Sequence, residues 1–213
     1  MQKARLSLHS ILEALTLDQA CISLLEETAK YDQLMDATTP EEVYTAIRTV
    51  GKVLEAGDAA DHLAEGLEER INIIRHKLKF IPREQRPTVL CLQEISPVML
   101  AQGAYLDGLI DIAGGVSYTN WDQDHFNPDI VVLINNRPVP DLLNELPTAL
   151  ATRYWADTNA VKQNNIYLVH HSQYLRQPGA GIADDAEILA EIINPLYFIF
   201  GRDADVWMPF RLN

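Results

Sequence analysis

Thr88-Val89-Leu90-Cys91-Leu92-Gln93-Glu94-Ile95 is the stretch on which the fold turns. It is short, nearly continuously apolar and contains β-branched residues, the pattern of a strand buried on both faces in a parallel sheet. Downstream, Tyr105–Ala113 sets Leu106, Leu109, Ile110 and Ala113 at helical spacing and stops at Gly114-Gly115. Asp129–Ile134 repeats the buried-strand pattern, and Ile166–His170 does so a third time. Between them, Leu142–Trp155 has helical spacing that Pro147 is expected to break. Ala183–Ile193 reads as a last amphipathic helix with Asp184 or Asp185 near its start. Strands alternating with helices predict a three-layer α/β/α lobe with a parallel-type sheet over residues 83–213.

Upstream of the polar linker Arg83–Arg86 the period is helical. Thr39 can cap a helix, Pro40 fits its first position and Glu42 completes a capping box. Val43, Ala46, Ile47, Val50 and Leu54 then share a stripe, and after Gly57-Asp58 a second stripe carries Leu63, Leu67, Ile71, Ile74 and Leu78. Residues 39–82 are therefore expected to form a helical connector. In residues 1–38, Leu6–Leu15 reads as a helix, and Ala20–Leu25 and Tyr31–Asp36 as strands.

Composition narrows the function. Of 213 residues 47% are apolar and 22% charged, enough for one substantial core. No apolar run approaches the roughly 18 to 20 residues that span a bilayer. With 17 basic against 30 acidic residues the net charge is −13, which disfavours binding to phosphate backbones. Cys21 and Cys91 both sit in apolar surroundings and are read as core residues rather than a disulfide. The N-terminus has basic residues but no apolar core or cleavage site of an export signal, so the compartment is left open.

Several segments, in this order, resemble the periplasmic substrate-binding proteins of ABC importers for cobalamin, iron-siderophores and haem. They are Met35–Val43, the glycine-centred helix Ile47–Leu54, the double-glycine turn after Tyr105–Ala113, and Asn127-Pro128-Asp129-Ile130-Val131-Val132-Leu133. Ala160-Val161 with Ile166–Val169, Pro178-Gly179, and Ala186–Ile192 with Pro195 complete the series. Each is a common motif alone, and the signal lies in their joint order and spacing. The resemblance implies a complete first lobe before the connector, yet here only 38 residues precede it, so residues 1–38 are read as a vestigial first-lobe segment. It also implies Arg-Pro-Gly-Pro-Arg where this chain has Gln177-Pro178-Gly179-Ala180-Gly181, with Arg176 one position upstream.

In this architecture a ligand lies against loops at the carboxyl ends of the strands. The loops Gln93–Met99, Val116–Asp124 and His171–Arg176 offer Met99, Trp121 and Tyr174 for apolar or stacking contact, and Ser96, His171 and Arg176 for polar contact. The resemblance implies that such residues bind a metal chelate (cobalamin, haem or a ferric siderophore) non-catalytically, with an ABC permease as partner and a periplasmic location. Direct metal binding by His170-His171 with Asp122, Asp124 and His125 is disfavoured, because strand alternation sends adjacent side chains to opposite faces. No Gly-x-Ser-x-Gly elbow, Walker loop or Gly-x-Gly-x-x-Gly motif supports catalysis, and Asp122 and Asp124 read as a solvated loop. The apolar stretches Tyr197–Phe200 and Val206–Phe210 read as a tail packed on the lobe, or as a homodimer contact. The alternative function is thus an orphan lobe serving as a homo-oligomeric or protein-interaction module. An enzyme on a chelatase-like fold would need a titratable cleft residue that no motif identifies.

Overall fold

In the computed structural model, residues 4–119, 126–203 and 205–212 are described. The central strands β1 (Thr88–Ile95), β4 (Ile130–Ile134) and β5 (Ile166–Val169) lie side by side and parallel, with Val89 opposite Ile130 and Val131 opposite Ile166. The edges are mixed. β2 (Val98–Leu100) folds back antiparallel on the carboxyl end of β1, β3 (Val116–Ser117) pairs parallel with its amino end, and β6 (Trp207–Phe210) pairs antiparallel with β5. Pro209 lacks an N–H, a loss that an edge strand tolerates.

Alternation along the strands divides the core in two. Leu90, Leu92, Val131, Leu133, Ile166 and Leu168 face α7 (Val139–Leu150), α8 (Arg153–Ala156) and α9 (Asn159–Lys162). Val89, Cys91, Ile130, Val132 and Val169 face the opposite layer, which contains α6 (Ala104–Ile112) and α10 (Ile182–Ile193). The three-layer lobe expected from the sequence is present. Pro147 does not break its helix: α7 runs one turn past it to Leu150.

Behind α10 lies a helical hairpin, α4 (Pro40–Val53) and α5 (Gly57–Leu78). The capping box is as expected. Glu42 N–H donates to Thr39 Oγ1 while Glu42 Oε2 accepts from the N–H groups of Thr38 and Thr39, and these bonds hold the Glu42 carboxyl below its usual value. The hairpin closes tightly at Gly51, where a Cβ would lie 2.2 Å from that of Ala60. Arg70 of α5 reaches α10 with a bidentate grip on Glu187 at 2.8 and 2.7 Å and a bond to Asp184, and Arg202 contacts the same two carboxylates.

Three further sequence expectations are corrected. Ala20–Leu25 and Tyr31–Asp36 are not strands but short helices, α2 (Ile22–Glu26, after a single 3-10 turn at Gln19–Cys21) and α3 (Tyr31–Met35). They bury Leu25, Leu34 and Met35 in the hairpin-side core rather than extending a sheet. The third concerns α10, which is buried on nearly all sides instead of amphipathic, because its charged residues find partners inside the fold. Cys91 is buried as expected, Cys21 is half-buried, and both are free. The tail reading divides: Phe198, Val206, Trp207 and Phe210 pack on the lobe, while Leu196, Tyr197 and Ile199 are exposed.

The strand-entry segment has a structural reason. Asp129 accepts from the Thr88 N–H at 2.9 Å, the Thr88 hydroxyl at 2.7 Å and Asn159 Nδ2 at 2.8 Å, tying β1, β4 and α9 together. Burial works to raise the carboxyl's pKa, but the bonds from Thr88 and Asn159 hold it below its usual value.

Candidate functional site

The chain runs from β1 outward to β3 and returns across β1 to β4, so the connections diverge at the carboxyl ends of β1 and β4. In an open α/β sheet that divergence leaves a crevice. Here it has two adjoining parts. One, of about 390 Å³, is walled by Gln93, Glu94, Met99, Ile134, Asn135, Asn136, Arg137 and Arg176. The other, about 110 Å³, shares Gln93, Ile134 and Arg176 and adds Ala4, Gln102, Tyr105 and Leu175. A larger depression along the outer face of α5 is lined by that helix alone and lacks the convergence of elements typical of ligand sites.

Local chemistry fixes the crevice. The buried Asn135 donates from Nδ2 to the Gln93 carbonyl and, at 2.9 Å, to Glu94 Oε1, locking the ends of β1 and β4 together. Its own oxygen accepts from the Arg137 N–H at 2.7 Å. The Arg137 guanidinium bridges Glu94 at 3.1 Å and Glu145 at 2.7 Å, so its charge is spent inside the protein. Arg176 differs. Among the described residues its hydrogen-bond partner is the neutral Asn136, and burial pulls its pKa below the ordinary arginine value.

Below the smaller hollow sits Asp185 of α10, almost fully buried. Its Oδ2 accepts from the Tyr105 hydroxyl at 2.6 Å and its Oδ1 from the Leu175 N–H at 2.9 Å. Burial pushes the carboxyl up to about 7, against the opposing effect of those two bonds. The folded state therefore retains, between about pH 4 and pH 7, a proton that the unfolded chain has released. This group's contribution is fully present below pH 4 and is lost at about 1.4 kcal/mol per pH unit as pH rises to 7. Asp185→Asn cannot ionise, so its melting temperature relative to wild type is expected to be higher at pH 8 than at pH 5. Scanning calorimetry at the two pH values checks this, and an unchanged difference would refute it.

Of the six residues picked from the sequence, Met99 and Arg176 line the crevice together. Ser96 lies at the exposed β1–β2 turn. His171 and Tyr174 sit on the loop leading to Arg176 and pair with one another, ring centroids 5.2 Å apart. Those three side chains are not part of its walls among the described residues. Trp121, like Asp122, Asp124 and His125, lies outside the described residues. The sequence reading missed Gln102, Tyr105 and the Asn135-Asn136-Arg137 loop; the last could have been found as the first polar residues beyond the carboxyl end of a buried strand. Among the described residues no group of three His, Cys, Asp or Glu is placed to hold a metal, and no helix is long and apolar enough to cross a membrane.

The N-terminal segment closes one side of the site. Ser7 N–H donates to the Pro178 carbonyl at 2.7 Å and Ala180 N–H to Ser10 Oγ at 3.1 Å, so α1 (Leu8–Ala14) is docked on the Gln177–Gly181 turn. This is the turn where the arginines implied by the resemblance are replaced.

No family model matches the chain. An uncharacterised ABC-transporter substrate-binding lipoprotein of Bacillus subtilis (strain 168) is 24% identical over 167 residues, covering 75% of this chain and 52% of that protein. The chain thus spans about half the length of the curated relative it matches. An ABC-transporter substrate-binding protein from Listeria monocytogenes EGD-e superposes with a TM-score of 0.66 at 14% identity, covering 91% of this chain and 100% of that one. Staphylococcus aureus IsdE, solved with haem, gives 0.65 at 14% identity with the same coverages. The chain thus has the fold of substrate-binding proteins of ABC transporters and is similar in sequence to one of them over 167 residues.

Proposed function

We propose that the chain binds a metal-chelate ligand (haem, cobalamin or a ferric siderophore) non-covalently at the carboxyl-edge crevice, for delivery to an ABC permease. The observation that carries this reading is Arg176, an exposed cation at the edge of a preformed crevice whose hydrogen-bond partner among the described residues is a neutral amide. Met99 beside it supplies an apolar surface. Crevice volume sets the mode of binding. About 390 Å³ accommodates one face or edge of a macrocycle, and the rest of the ligand faces outward. We further read residues 83–213 as the second lobe of the family, 39–82 as its connector and 1–38 as a first-lobe segment. On this reading Ser96, Trp121, His171 and Tyr174 are further ligand contacts.

The test is a titration with haemin, cyanocobalamin and a ferric hydroxamate siderophore, followed by absorbance and melting temperature. A ligand that binds only the folded state at a hundred times its Kd stabilises it by about 2.7 kcal/mol. One of the three is expected to reach that range, and Arg176→Ala to weaken it about tenfold, the loss typical of one charge-assisted hydrogen bond. No shift with any of them overturns the reading.

A second reading has its own observation. Leu196, Ile199 and Phe80 are 94%, 88% and 83% exposed, and Lys77, which bonds to the Tyr197 carbonyl at 3.1 Å, links the two segments that carry them. Apolar exposure of this kind suits a homodimer contact, so the chain would act as an oligomeric interaction module. Sedimentation velocity distinguishes the two: concentration-dependent dimerisation abolished by Leu196→Asp together with Ile199→Asp, without chelate binding, favours the module.

A further inference from the structure

The conformation of the backbone just before Arg176 is costly. Leu175 has φ of 59°, in the left-handed region that a branched side chain rarely adopts, and its side chain is buried. Such residues persist only where the surroundings over-determine them, and they concentrate at ligand sites. Here two restraints converge. The Leu175 side chain is packed in the core, and its N–H is captured at 2.9 Å by the buried Asp185 carboxylate, which the Tyr105 hydroxyl anchors from the other side at 2.6 Å. The next residue is Arg176, whose guanidinium reaches across to Asn136 on the far wall of the crevice.

We propose that Asp185 is a positioning residue: by holding the left-handed turn at Leu175, it aims Arg176 into the crevice. Asp185 never meets the ligand; it acts through one backbone N–H. A hydrophobic replacement would fill the space but lose that acceptor, and the strained turn would relax. Because a carboxylate accepts more strongly than a carboxylic acid, the grip on Leu175 tightens as Asp185 ionises. The charged and titratable groups facing it are the Tyr105 hydroxyl on α6, Asp184 on α10 and Arg202 beyond α10.

The proposal deepens the binding reading above, and its test separates the two. In the wild-type protein, the Leu175 amide proton and the Arg176 Nε–H are followed by NMR across pH, together with the Asp185 carboxyl carbon. All three signals are expected to move with one midpoint, and both reporters to lose that titration in Asp185→Asn. An Arg176 signal that ignores the Asp185 titration, or titrates unchanged in Asp185→Asn, overturns the proposal even if haemin binds. The second arm uses haemin affinity. Asp185→Ala and Arg176→Ala are each expected to lose about tenfold, the double variant to be no worse than either, and Asp185→Asn, which keeps an acceptor oxygen, to stay within about threefold of wild type. Additive losses overturn it. Failure of haemin to bind the wild type removes the second arm and counts against the function alone, because the NMR arm needs no ligand.

Discussion

Glu191→Ala is expected to cost about 3 kcal/mol of stability and to loosen the β6 edge before the rest of the sheet. Glu191 is buried on α10, and its two oxygens accept from the N–H groups of Phe200 at 2.8 Å, Gly201 at 2.9 Å and Arg202 at 3.3 Å, and from the Trp207 indole at 3.1 Å. One carboxylate thereby organises the whole connection from α10 to β6. Removing it orphans four donors. The backbone groups can regain water as the loop frays, but the buried indole cannot without leaving the core, and a buried unsatisfied donor costs about 1 to 3 kcal/mol. Urea denaturation reads the total. Hydrogen exchange locates it, since the His170 N–H bonded to the Val206 carbonyl at 3.1 Å should exchange faster than amides of β4. Uniform loss of protection across the sheet would mean that Glu191 is not a local clasp.

Gly51→Ala is expected to destabilise by about 2 kcal/mol, reversing the sign that helix propensity alone predicts. In an exposed helix interior the change gains about 1 kcal/mol. Here the new methyl would lie 2.2 Å from Ala60 Cβ and 3.0 Å from the Ala56 carbonyl oxygen, so α4 and α5 must move apart. Because the Ala60 methyl is the closest obstacle, Ala60→Gly should recover part of the loss in the double variant, giving a favourable coupling in a double-mutant cycle. A stabilised Gly51→Ala protein would contradict the packing described for the hairpin.

What could be read from the sequence was what depended on neighbours along the chain. β1, β4 and β5 are buried on both faces, so their apolar runs are continuous and unmistakable. The Thr39-Pro40-Glu42 signature is complete within four residues. The failures were all decided by distant partners. Ala20–Leu25 is a short run whose period fits a strand or a helix equally, and burial of Leu25 in the hairpin-side core, not propensity, settled it. α10 carries Asp184, Glu187 and Glu191 along one side, and Asp185 elsewhere on the helix, in a pattern that reads as amphipathic. Their partners Tyr105, Arg70, Arg202 and Trp207 come from elsewhere in the chain, and only those contacts make burial affordable. β6 was hidden by its length and by Pro209, which argues against a central strand but not against an edge. At the crevice, Met99 and Arg176 were visible as loop residues at strand ends, whereas Asn135-Asn136-Arg137 was passed over, although it follows β4 directly.

On the proposed function, the carboxyl-edge crevice, rather than the exposed apolar face around Phe80 and Leu196, is where this chain meets its ligand. Chemical-shift mapping with whichever of haemin, cyanocobalamin or ferric siderophore raises the melting temperature tests it most directly. Perturbations are expected to cluster at Gln93, Met99, Asn136 and Arg176, and to need about tenfold more ligand in Arg176→Ala. Perturbations confined to Phe80 and Leu196–Phe200, with the crevice silent, would contradict it.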